Sequence, residues 1–154
     1  MKSDNKRAFS IVAIVLLAVT LIIGVIVYIC LPKVVNVYVN VADLSVRQFV
    51  IDTITPVLYI VGVPVLAMLV FALLMMINIA KEKAFYRKNV IYMRLMALCS
   101  FIIALVFIYP MFVMNSVYPI VLFVMFMLIT IIILVFSEVF RAAIRIKKEN
   151  ELTI

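Results

Sequence analysis

Long apolar runs alternate with short polar stretches along the chain. Four runs, at about 9–31, 55–80, 95–112 and 117–136, reach the roughly 20 residues that a helix needs to cross about 30 Å of hydrocarbon. None of the four contains an Asp, Glu, Lys or Arg. Inside a bilayer each backbone N–H and C=O must be paired within the protein, so apolar runs of this length predict helices. The expected fold class is all-α: a four-helix transmembrane bundle with an amphipathic C-terminal helical extension. Residues 1–154 then make one membrane domain, with an outer loop at 32–54, an inner loop at 81–94 and a tail at 137–154. Pro56 and Pro119 suit first helical turns, and Pro64 is expected to kink the second span. A tight turn at Asn115-Ser116 makes the last two spans antiparallel neighbours.

The polar stretches carry patterns of their own. Val35, Val37, Val39 and Val41 alternate with Asn36, Tyr38 and Asn40, a period of two that reads as a strand with one apolar face. A lone strand must pack on something, which leaves two readings. It rests on its own bundle and the lipid headgroups, or it offers a docking edge to an extracellular peptide. Beyond residue 136 the period becomes helical. Phe136, Val139, Phe140, Ala143 and Ile144 fall on one side, Glu138, Arg141, Arg145 and Lys148 on the other, and Lys147 is out of place. Such a helix either lies on the inner leaflet as a snorkelling cap or projects from it. The final Glu149-Asn150-Glu151-Leu152-Thr153-Ile154 has acids and then an apolar tip, which a lipid anchor does not require. It suggests docking, on the chain's own inner loop or on a partner.

Composition narrows the class further. At 69% hydrophobic over 154 residues, the chain has more apolar surface than a soluble domain of its size can hide. The net charge of +7 is explained by topology before any nucleic acid, because 12 of the 14 Lys and Arg fall on one side of the proposed fold. Only Lys33 and Arg47 fall on the other. The excess of positive charge predicts that both termini and the 81–94 loop are cytoplasmic. Tyr28, Tyr59, Tyr109 and Tyr118 at the outer ends, with Tyr86 and Tyr92 at the inner loop, form the matching aromatic belts. The first apolar run is too long for a signal-peptide core and no small-residue cleavage site follows, so it is expected to stay as a span.

Chemistry is sparse. There is no His, and Cys30 and Cys99 are expected in opposite leaflets, out of reach of a mutual disulfide. With two Gly in the chain there is no phosphate loop, and no nucleophile–base pair can be assembled. No enzyme, metal site or cofactor is therefore expected. Uncharged spans also argue against a pump or proton-coupled carrier. Thr20, Asn78, Ser100 and Thr130 are expected to bond between helices or back onto their own helix. Gly24, Gly62, Ala67, Ala97 and Ala104 are candidates for close helix contact.

Two short patterns bring a resemblance into view. The first is Phe85, Asn89, Val90, Met93 and Arg94 entering the third span. The second is Glu138, Phe140 and Arg141 leaving the fourth, followed by Asn150-Glu151-Leu152-Thr153-Ile154. In these the chain resembles a family of small four-span bacterial membrane proteins of unknown function. Lys83-Ala84 stands where the family usually has Pro or Gly before the loop Phe. Genes of that family commonly lie beside genes for small Cro/CI-like helix-turn-helix regulators, so the resemblance implies a membrane partner for a DNA-binding protein.

The first functional expectation is a non-enzymatic protein that sequesters or modulates such a regulator, with no direct contact to nucleic acid. Its candidate partner-binding residues are Phe85, Asn89, Arg94, Glu138, Arg141, Arg145, Lys148, Leu152 and Ile154. The alternative is an immunity or tolerance protein against a membrane-active peptide, acting through Val35, Val37, Val39 and Val41. A small channel or carrier is a third.

Overall fold

The computed structural model describes residues 2–41, 47–81, 83–114 and 116–152. Side chains are described for these apart from 2–8, 38–39, 41, 47–50 and 151–152. In chain order the helices are α1 (Lys2–Ile29), α2 (Leu31–Val41), α3 (Arg47–Ala80), α4 (Arg87–Val106), α5 (Ile108–Val113) and α6 (Tyr118–Leu152). Four segments are long and apolar enough to cross a membrane: Phe9–Ile29, Ile51–Ala80, Arg87–Val113 and Tyr118–Asn150. The described residues contain no strand.

The long helices pack in sequence, α1 on α3, α3 on α4 and α4 on α6. Among the described residues the central helix α4 supplies more buried positions than any other helix, among them Ala97, Ser100, Ile103 and Ala104. Lipid offers apolar helices no hydrophobic gain from meeting, so contact depends on small residues that let backbones approach. Ala97, Ser100 and Ala104 do this on α4, and the Ser100 hydroxyl reaches across to the Phe126 carbonyl of α6 at 3.0 Å. Between α1 and α3 the same part is taken by Gly24, against Leu66, and Gly62, against the Tyr28 ring. Ala67 is half-buried. Thr20 and Thr130 bond back to Leu16 and Phe126, four residues earlier on their own helices.

Three local expectations change. The alternating segment after residue 31 is the helix α2, not a strand. It continues from α1 through Cys30, whose carbonyl accepts from the Lys33 and Val34 amides at 2.9 and 3.1 Å. A helix pairs its own backbone, which an unaccompanied strand does not, and Pro32 lies in its first turn where no N–H is needed. Leu31 and Val35, one turn apart, then bury together against Tyr28, Ile51 and Tyr59.

The third span is interrupted. α4 ends at Val106, Phe107 turns, and α5 resumes. Pro110 explains the break: it has no N–H for the Val106 carbonyl, and its ring crowds that carbonyl. The Phe107 ring stacks on Phe126 at 5.9 Å and keeps the interrupted segment on α6. Finally, α3 begins at Arg47, so Pro56 lies in its interior rather than its first turn, and the helix runs on through Pro64. Pro119 is in the first turn of α6, as expected. Asn115 lies outside the described residues.

Candidate docking surface at the charged end

α6 has 35 residues, or about 52 Å at 1.5 Å per residue, against about 30 Å of hydrocarbon. Its charge-free part stops at residue 137, already about 30 Å along the helix, and the charged remainder continues the same helix. There it meets the start of α4 and the loop between α3 and α4. Arg94 of α4 donates to the Glu138 carboxylate and, at 3.4 Å, to the buried Ser137 hydroxyl. Glu138 also accepts from Arg141 at 3.4 Å, and Arg145 pairs with Glu149 at 2.9 Å. The Lys147 ammonium lies 5.7 Å from the centre of the Phe85 ring. That placement gives the one charge out of pattern on α6 a role, as a tie from tail to loop.

The loop is built around Asn89, which is 1% exposed. Its amide donates to the Lys83 and Ala84 carbonyls at 3.0 and 2.9 Å and accepts from Asn78 of α3 at 2.8 Å. The turn that Pro or Gly would favour is thereby imposed on Lys83-Ala84 by a side chain, and the Tyr86 amide closes it onto the Lys83 carbonyl at 3.2 Å.

Between the start of α4 and the extension of α6 a cleft of about 550 Å³ is lined by Arg87, Val90, Ile91, Arg94, Arg141, Ile144, Arg145 and Lys148. Its five basic residues face two pairing carboxylates, Glu138 and Glu149, which leaves a surplus of three positive charges. On the other side of α6, Val135, Val139, Ala142 and Ile146 form an exposed stripe with spacings of four, three and four. Val139 and Ile146 are each 58% exposed. At the opposite end of the molecule a smaller recess, about 340 Å³, lies between Val57, Phe107, Pro110 and Leu122 and has no charged lining.

The family model described as "Protein of unknown function (DUF2975)" matches residues 3–154, nearly the whole chain. The chain belongs to the DUF2975 family. No curated protein and no solved structure matches it.

The residues singled out in the DUF2975 chain divide into four groups. Arg94, Glu138, Arg141, Arg145 and Lys148 come together at the charged end, and Phe85 joins them through Lys147. Asn89 is at the same end but turned inward, with its amide used by its own loop. Leu152 ends α6 with its side chain outside the described residues, and Ile154 lies outside them altogether. The four outer valines do not form one edge. Val35 is buried and Val37 is 63% exposed, because positions two apart point to opposite sides of a helix; the side chains of Val39 and Val41 lie outside the described residues. Sequence reasoning missed Ser137 and marked Lys147 only as a charge out of pattern. The first is a lone polar residue after an apolar run, the signal that drew attention to Asn78 and Ser100.

The Arg94–Glu138 pair orients the two helices more than it stabilises them. Both side chains are open to solvent, 47% and 58% exposed. A double-mutant cycle with Arg94→Gln and Glu138→Gln is expected to show near-additive losses in denaturant unfolding, and a strong coupling would mean that the pair is shielded from water.

Proposed function

We propose that this protein is a docking subunit of the bacterial cytoplasmic membrane that retains or modulates a small cytoplasmic helix-turn-helix regulator. In this reading the two termini and the loop before α4 face the cytoplasm, in line with the position of 12 of the 14 Lys and Arg. The observation that carries it is the stripe Val135, Val139, Ala142 and Ile146, which continues past the end of the charge-free run on a projecting helix. An apolar stripe at spacings of three and four is what a helix lays into a groove of a partner. Surplus positive charge at the same end favours an acidic partner face and speeds encounter. The regulator as partner comes from the family resemblance.

A photoreactive residue at Ile146 in the full chain, in its native membrane, is expected to crosslink a cytoplasmic regulator. Deletion of residues 149–154 is expected to lower the membrane-bound fraction of that regulator several-fold while the spans stay inserted. Crosslinks to lipid alone, or equal retention with and without the tail, would overturn the proposal.

A further inference from the structure

The cleft between α4 and α6 is not accounted for by a docking stripe on the other side of α6. Four of its eight lining residues are Arg, and one more is Lys. Arginine presents a planar fork of donors that matches two phosphate oxygens at once. The ion pairs to Glu138 and Glu149 position Arg94, Arg141 and Arg145 without cancelling the surplus charge. The first turn of α4 also lines the cleft, has no acidic residue, and starts at Tyr86 with no side-chain cap. Its partial positive charge adds to that of the side chains.

Depth selects among phosphate-bearing ligands. The charge-free runs begin at residue 95 on α4 and end at residue 137 on α6. At 1.5 Å per residue, Arg94 and Arg141 lie within about 8 Å of the hydrocarbon edge, the depth of the headgroup layer. The rest of the lining, Val90, Ile91 and Ile144, is apolar. Further along α4, Leu98, Ile102 and Leu105 follow Ile91 as exposed apolar residues at spacings of seven, four and three, a track alongside which an acyl chain can lie.

We propose that the cleft binds the phosphate headgroup of an anionic phospholipid, with one acyl chain along the Ile91–Leu105 face of α4. Bound there, the lipid bridges the start of α4 to the extension of α6 and sets the angle at which that extension leaves the membrane. The stripe and the cleft lie on different sides of α6, and the lipid titration of the purified chain is read without the regulator, so its failure is distinct from a failure of the crosslink at Ile146.

The test uses the full chain in a neutral detergent, titrated with phosphatidylglycerol, with phosphatidylcholine of the same acyl chains, and with inorganic phosphate. Native mass spectrometry counts bound lipid. Phosphatidylglycerol is expected to bind about tenfold or more tighter than phosphatidylcholine. The triple variant Arg87→Gln, Arg145→Gln, Lys148→Gln should lose that preference. Lys81→Gln, Lys83→Gln, Lys88→Gln removes the same charge outside the cleft and should change affinity by less than about twofold. Unchanged circular dichroism excludes unfolding as the cause of loss. Equal affinity for the two lipids, or equal loss in both triple variants, would overturn the proposal. So would a thermal shift from inorganic phosphate as large as that from lipid, or displacement of the lipid by poly-glutamate at stoichiometric concentration.

Discussion

Asn89→Leu is expected to destabilise the protein by about 2–4 kcal/mol and to release the loop between α3 and α4. The substitution keeps the branched shape of the side chain and removes its three hydrogen bonds, to Asn78, the Lys83 carbonyl and the Ala84 carbonyl. What is lost is less the bonds themselves than the partners left behind. A buried donor or acceptor without a mate costs about 1–3 kcal/mol, whereas a satisfied pair contributes about 1. Lys83 is exposed and its carbonyl can regain a water, so the sum falls short of three full penalties. Asn89→Asp separates geometry from polarity. It keeps the acceptor for Asn78 but turns a donor toward two carbonyls into a second acceptor, and it too should loosen the loop. The readouts are the midpoint of denaturant unfolding in detergent and the rate of proteolysis at Lys81 and Lys83. An Asn89→Leu protein with wild-type loop protection would show that the turn is held by something else. Loosening should reach the docking surface as well, since Phe85 meets Lys147 from this loop.

The second large effect is expected at Gly62. A Cβ there would stand 2.5 Å from two carbons of the Tyr28 ring, well inside contact distance. The ring has little room to retreat, because it packs edge-on to Tyr59 at 5.4 Å and its hydroxyl donates to the Tyr59 carbonyl at 3.3 Å. Gly62→Ala must therefore push α1 away from α3, at about 1–3 kcal/mol of overpacking. Gly24→Ala offers the contrast on the same interface. Its Cβ would come 3.2 Å from Leu66 Cδ2, a methyl at the end of a side chain that can rotate. That variant should cost less than about 1 kcal/mol. In a Tyr28→Ala background the penalty of Gly62→Ala should disappear, since the obstructing ring is gone. Equal costs for the two glycine variants, or a Gly62 penalty that survives Tyr28→Ala, would refute the close approach.

Much of the candidate site could be seen as a list of residues but not as an arrangement. The run from Arg141 to Lys148 reads as a basic helix face in any register, and α6 bears this out. The residues they face across the cleft and at the loop come from α4 and the segment just before it, more than 40 positions earlier, and nothing in a local pattern pairs Arg94 with Glu138 or Phe85 with Lys147. Asn89 shows the opposite failure. It looked like a recognition residue in a charged loop, but a short amide near a helix start can equally turn inward and bond the loop's carbonyls. The outer valines failed because alternation of Val and Asn over seven residues suits a helix almost as well as a strand. Backbone pairing decided for the helix, as no second strand lies near it among the described residues.

The sequence by itself determined the four apolar segments, their all-helical character and the concentration of positive charge at alternate junctions. These follow from length and charge measured against a bilayer of fixed thickness, a one-dimensional comparison that requires no knowledge of contacts. It also marked the small residues at which helices could close. The tertiary structure alone decided which helix is central, where the third span breaks, and that the start of α4 and the tail converge on one cleft. The physical reason is that helices in lipid are apolar all round. Their sequences therefore carry little signal for which face meets which neighbour, and the choice is left to steric fit and a few hydrogen bonds between residues far apart in the chain.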